Sequence, residues 1–212
     1  MLHHYAIDGA EALRFAELVA GLSRSSIQAT QAVSRRRADT LPLTALVLAR
    51  LLRRIRPAQV VFSANGLREG AMFELASQET RLRDPLIDLA DRFGRNRARD
   101  PAMGDAMMTF LDPLYADEPA SDRRLRAAAC ALADIGWRHH PDYRAEMAFD
   151  RVMFAAVSGA DHAERAFVAH AVRLRYGGDA STGDVKATLQ LLDPERRAAA
   201  QKLGRAQRLG FA

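Results

Sequence analysis

The stretch ALADIGWRHHPDYR gathers Asp134, His139, His140, Asp142 and Tyr143. Carboxylates and imidazoles set so close could hold a divalent cation and activate water against a phosphate ester. A second stretch, ADHAERAFVAHAVRLRYGG, places His162 and Arg165 at near-helical spacing and brings Arg173 and Arg175 up to the glycine pair Gly177-Gly178. His162, Arg165 and Arg175 could line a groove for a polyanion, although Asp161 and Glu164 equally suit the start of a helix, a purely structural use. A third, SANGLREG from Ser63 to Gly70, follows an apolar run and opens a helix. Backbone N–H groups at such a start could face an anion beside Gly66 and Arg68. Its glycines do not match the phosphate-loop or dinucleotide spacings, and an ordinary turn with Arg68 paired to an acid would look the same.

Four further features bound these readings. A metal site of the kind used by HD phosphohydrolases wants a histidine directly before the aspartate. Ala133 stands there, and residues 84–132 contain no histidine. The Asp134 group is therefore expected to cap helices and pin a loop, with no metal bound; an autonomous metal phosphohydrolase is one alternative. Lys+Arg number 31 against 26 Asp+Glu, a net charge of +5, and the only lysines are Lys186 and Lys202. Arginine suits bidentate contact with phosphate oxygens, so phosphate-rich partners come first. Arg35-Arg36-Arg37 and Arg50, Arg53 and Arg54 could meet a nucleic-acid backbone, but aromatic residues are 7% and none interleave with them, so nucleic acid is not expected and a non-catalytic polyanion-binding module is the second alternative. Cys130, the single cysteine, lies in the apolar run RAAACALADIG and reads as a core residue.

The elements that must position these groups are mostly helical. Residues 10–27 show amphipathic spacing with Asp8 as N-cap, and LPLTALVLARLLRRIR puts Val47, Leu48, Leu51, Leu52 and Ile55 on an expected buried face. AQVVF reads as a buried strand, and helix, strand, turn and helix together suggest a unit of a parallel sheet whose other strands this sequence hardly supplies. From Asp84 onward no strand is expected. Asp84-Pro85, Asp100-Pro101, Asp112-Pro113 and Asp193-Pro194 each fit an N-cap followed by proline, and helices are predicted near 84–96, 100–115, 121–133, 143–157, 161–175, 182–191 and 194–208. No apolar run approaches the roughly 18 residues that cross a bilayer, and the start lacks a signal peptide's regions, so no membrane partner and a cytoplasmic location are expected.

In order, LHHY, RRRADTLP, VVFSANGLREG, DPL, LADIGWRHHPDYR, DHAERAFVAHAVRLRYGG and RRAAAQKLGRAQRLG resemble the C-terminal half of the Ppx/GppA family of exopolyphosphatases and guanosine-pentaphosphate phosphatases. The resemblance covers nearly the whole chain, with GLREG and the DIG and RYGG pieces its most specific parts. It implies a mainly α fold: a short α/β remnant of an actin-like (ribonuclease H-like) lobe over 1–75, then an all-α HD-like helical domain over 76–212. It implies a part of an enzyme that removes terminal phosphate from inorganic polyphosphate or pppGpp with Mg²⁺ in the intact enzyme. The catalytic glutamate belongs to an N-terminal lobe expected to be missing here, so this chain is expected to bind no cofactor and to be inactive alone, contributing polyanion binding and domain or homodimer contacts. The chain is also expected to be a piece cut at both ends. Gly66 and Arg68 match the family's segment facing the cleft between lobes. His139, His140, Arg144, His162 and Arg165 are the surface candidates for the polyanion.

Overall fold

The computed structural model describes residues 4–30, 33–155, 158–178 and 183–212. The chain divides after Ala64 into two compact units.

In the first unit, strand β1 (Ala6–Asp8) runs into helix α1 (Gly9–Gly21). Asp8 caps α1 as the sequence predicts, its carboxylate accepting from the N–H groups of Ala10 at 2.9 Å and Glu11 at 3.1 Å. The expected helix over 10–27 is two helices. Ser23 accepts from the Ser26 N–H at 3.2 Å and opens α2 (Arg24–Ala29), because a serine hydroxyl placed there competes with helix continuation. Helices α3 (Arg35–Ala38) and α4 (Leu41–Ile55) follow, then strand β2 (Gln59–Val61). β2 pairs antiparallel with β1, Ile7 opposite Val60, and not in the parallel sense expected. Nor is it buried, since Val61 is 56% exposed. Gly9 is needed where α1 meets this ribbon, for a Cβ there would stand 1.9 Å from the Pro57 carbonyl oxygen.

α1 and α4 pack on each other through small residues, Ala12 and Ala16 against Ala45, Ala49 and Leu52. Of the face predicted to be buried, only Leu52 is. Val47 is 67% exposed and Ile55 61%. Alanines let the two backbones come close and so win the contact, leaving the larger apolar side chains outside.

The second unit is helical throughout its described residues: α5 (Leu67–Glu74), α6 (Gln78–Leu82), α7 (Pro85–Arg97), α8 (Met103–Leu111), α9 (Ala120–Ala131), α10 (Arg144–Met153), α11 (His162–Arg175), α12 (Gly183–Leu189) and α13 (Pro194–Gly210), with 3₁₀ turns at Asp112–Leu114 and Pro141–Tyr143. The protein is thus mainly α with a small two-stranded ribbon, as the sequence leads one to expect. Asp84, Asp161 and Asp193 cap their helices, and Asp161 and Glu164 close a reciprocal capping box. Asp100 bonds the Ala102 N–H but α8 begins only at Met103, and Asp112-Pro113 opens a 3₁₀ turn. Positions 156, 157 and 182 of two predicted helices lie outside the described residues.

α11 is the axis of this unit. Ala166 to Val172 are buried on every side, with α9, α10 and α13 packed around them, and a stretch that is apolar on every face but for His170 belongs inside. Phe149, Leu125 and Leu203 are among its fully buried neighbours, and each such side chain contributes about 1.5–3 kcal/mol. Cys130 sits in this core. Gln207 Nε2 reaches its Sγ at 3.7 Å, and burial pushes the thiol up to about 11.

Candidate functional site

Asp134 follows α9 in a turn that crosses the end of the core and is 1% exposed. A carboxylate this deep needs compensation, and guanidinium groups provide it. Oδ2 accepts from the Arg99 backbone N–H at 3.0 Å and from Arg99 Nε at 3.1 Å. Oδ1 accepts from Arg99 Nη2 at 3.1 Å and from Arg175 Nη2 at 3.0 Å. The residue that resembled a metal ligand is the centre of an arginine clamp, its partners arriving from the α7–α8 loop and from the end of α11. Among the described residues no three of His, Cys, Asp and Glu gather where a metal could be held.

Around the clamp is a pocket of about 380 Å³ lined by Arg99, Trp137, Arg144, Arg175, Arg208, Phe211 and Ala212. Arg175 is held against two rings, its Cζ 3.9 Å from the centroid of Tyr176 and 3.7 Å from that of Phe211. Its buried Nε has no hydrogen-bond partner among the described residues. Burial pulls its guanidinium below the ordinary value; Tyr176 and Asp134 oppose that, and Arg99 and Arg144 add to it. Arg144 opens α10 and donates through Nε to the His139 carbonyl at 3.1 Å. Arg208 comes from the last turn of α13. Its guanidinium lies where a side chain on Gly177 would have been, since a Cβ there would stand 2.9 Å from Nη1, and Gly177 also has φ +80°. The RYGG glycine is thus required twice, for its backbone and for the room it gives Arg208. Among the described residues neither Arg144 nor Arg208 has a carboxylate within ion-pair distance.

The same turn carries a second concentration of positive charge. His139 is half-buried and its imidazole is held below the ordinary value, by burial first and then by the charges of Arg151, Arg97 and Arg144. Burial and Arg97 likewise pull Arg151 down. Trp137 Nε1 donates to the Arg97 carbonyl at 2.8 Å, tying the turn to the end of α7. Crowding like charges is unfavourable by itself, so this face is electrostatically poised for an anion.

The sequence-predicted residues fall in several places. His139 and Arg144 are brought together on the basic turn. His140 is exposed beside them, its Nδ1 accepting from the Asp142 N–H at 3.3 Å. His162 opens α11. Arg165, expected at the surface, is 2% exposed. Its Nη1 donates to the Met153 and Ala155 carbonyls at 3.3 and 2.8 Å, tying the end of α10 to α11. One turn into α11 the helix is already enclosed, which the spacing alone did not reveal. Gly66 and Arg68 are exposed at the start of α5, where the Glu69 carboxylate accepts from the Gly66 N–H at 2.7 Å. That helix end thus already faces an anion of its own. Arg97, Arg99, Arg151 and Arg208 were not singled out from the sequence, because the arginines that matter are scattered from 97 to 208 and share no motif. Arg175 beside the glycine pair and Arg144 after the DIG segment were the visible signals.

The profile of the family described as "Exopolyphosphatase, C-terminal" matches residues 77–212. The chain is also 27% identical, over 170 residues, to "Retrograde regulation protein 2" of Saccharomyces cerevisiae. That alignment takes in 75% of this chain and 27% of the relative, so the chain spans about a quarter of the length of the curated protein it matches. No helix among the described residues is long and apolar enough to cross a membrane.

Proposed function

The chain belongs to the exopolyphosphatase C-terminal family, and from that premise we propose that it grips the phosphate chain of inorganic polyphosphate without performing the hydrolysis. One observation carries this reading: Arg97, Arg144 and Arg151 crowd the His139 turn as like charges, each acting on the His139 imidazole. A flexible polyanion laid across this turn relieves that repulsion and releases counter-ions, as any linear array of phosphates does. Asp134 supports a gripping role over a chemical one, because its oxygens are taken by guanidinium groups and are not free to act as base or ligand. In a longer protein of this family Mg²⁺ and a catalytic carboxylate would act on the chain end while this face holds the remainder. The 5′ polyphosphate of pppGpp presents the same oxygens and is the competing substrate.

The test is retention of long-chain polyphosphate by the purified chain across a salt series. Binding that weakens steeply with salt is expected, and Arg97→Ala with Arg151→Ala should weaken it at least tenfold. Unchanged binding in that double variant would refute the assignment of this face. No phosphate release with Mg²⁺ is expected; release that Arg68→Ala abolished would place chemistry in this chain after all.

A further inference from the structure

The pocket beside Asp134 is built differently from the open basic turn. Arg99, Arg144, Arg175 and Arg208 come to it from four separate elements: the α7–α8 loop, α10, α11 and α13. Asp134 is the one carboxylate that pairs with any of them among the described residues, so the four guanidinium groups leave the pocket with an excess of positive charge. Arginine cannot shed its proton to relieve the crowding. Arg175 is pinned by Asp134 and two aromatic rings, yet its buried Nε has no acceptor among the described residues. A donor left so in an enclosed site normally costs about 1–3 kcal/mol, and such a cost marks a place for an unrecorded acceptor.

We propose that this pocket is a discrete site for a short phosphoanhydride, an anion bearing two or three linked phosphates, which cross-links the four elements when bound. It rests on the preceding reading only for the class of anion. The excess of positive charge selects diphosphate and triphosphate groups over orthophosphate or sulfate, and the planar guanidinium forks of Arg144 and Arg208 donate to adjacent phosphoryl oxygens in pairs. Because Arg208 and Phe211 close the pocket from the end of α13, occupancy fastens that end against α11 and the Asp134 turn.

The experiment is titration of the whole chain with tripolyphosphate, pyrophosphate, orthophosphate and sulfate at matched ionic strength, read by calorimetry and by thermal melting. Tripolyphosphate is expected to bind one per chain, at least tenfold tighter than sulfate, and to raise Tm. Arg208→Ala and Arg144→Ala should each weaken it tenfold or more without lowering the ligand-free Tm, and Arg208→Lys should recover part. Equal affinity in both alanine variants, or no preference over sulfate, would overturn the proposal. Long polyphosphate separates the two readings. Were it bound normally while tripolyphosphate showed no preference, the pocket would fall and the gripping face stand. Tight, Arg208-dependent tripolyphosphate binding in a chain indifferent to long polyphosphate would uphold the pocket and remove the gripping role.

Discussion

Two buried arginines in the helical unit face the same problem and are treated in opposite ways. Arg126, 2% exposed on α9, is fully provided for: Nε and Nη2 donate to Glu118 at 2.8 and 2.6 Å, Nη2 also to Asp112 at 2.8 Å, and Nη1 to the Met108 carbonyl at 3.3 Å. Arg175, 8% exposed, shares one carboxylate with Arg99 and keeps a donor without an acceptor among the described residues, beside two further arginines. With Arg123 also 3.6 Å from Asp112, the first arrangement sets two guanidinium groups against two carboxylates and is closed, so it holds the fold. The second is open and over-charged, so it waits for an anion. A buried base that can give up its proton has a third way out, and His170 takes it. Packed on the Phe149 ring and within 3.0 Å of the Thr188 hydroxyl, its imidazole is pushed down to about 4, by burial first and then by Arg173 and Arg197.

The contrast can be broken by experiment, beginning where the effect should be greatest. Arg126→Met strands Glu118 in a nearly dry site and should cost about 3–5 kcal/mol by denaturant unfolding. It should leave tripolyphosphate affinity unchanged, and a small cost would show that the closed network is not structural. His170 comes next. The folded protein keeps it neutral down to about pH 4, while the unfolded chain takes up a proton near pH 6.5. Its contribution is therefore whole above pH 6.5 and is lost as pH falls toward 4, on the order of 3 kcal/mol in all. His170→Gln should flatten that acid limb in urea titrations at several pH values, and an unaltered slope would mean another group is responsible. The smallest effect belongs to the pocket: Arg144→Gln should move stability by about 1 kcal/mol or less, because it gives up one hydrogen bond to the His139 carbonyl while no carboxylate among the described residues loses its partner. A large loss there would erase the distinction between the two clusters.

The sequence went furthest where the cause is local. The caps at Asp8, Asp84, Asp161 and Asp193 follow from short-range hydrogen bonding, and the helices from Asp84 onward follow from periodicity and those caps. The enclosed position of Cys130 followed from its apolar run. It went astray where a choice among partners decides. β2 was read as part of a parallel sheet because its own residues do not specify a direction, and the antiparallel neighbour β1 is too short to announce itself. The outward stripe of α4 was read as inward because apolar size, and not the closeness that Ala45 and Ala49 permit, set the expectation.

The candidate site divides along the same line. Residue types alone put phosphate first among the expected partners, since arginine far outnumbers lysine and its planar fork matches phosphoryl oxygens. They also determined that Asp134 stands without the histidine an HD-type metal site would want. Only the tertiary structure decided that Asp134 would be clamped by Arg99 and Arg175, that Arg165 would be sealed inside, and that Arg208 would return to the turn from the end of the last helix. The reason is range: a cap is settled within one turn of helix, whereas a pocket is settled by which distant side chains the packing around α11 brings to one end.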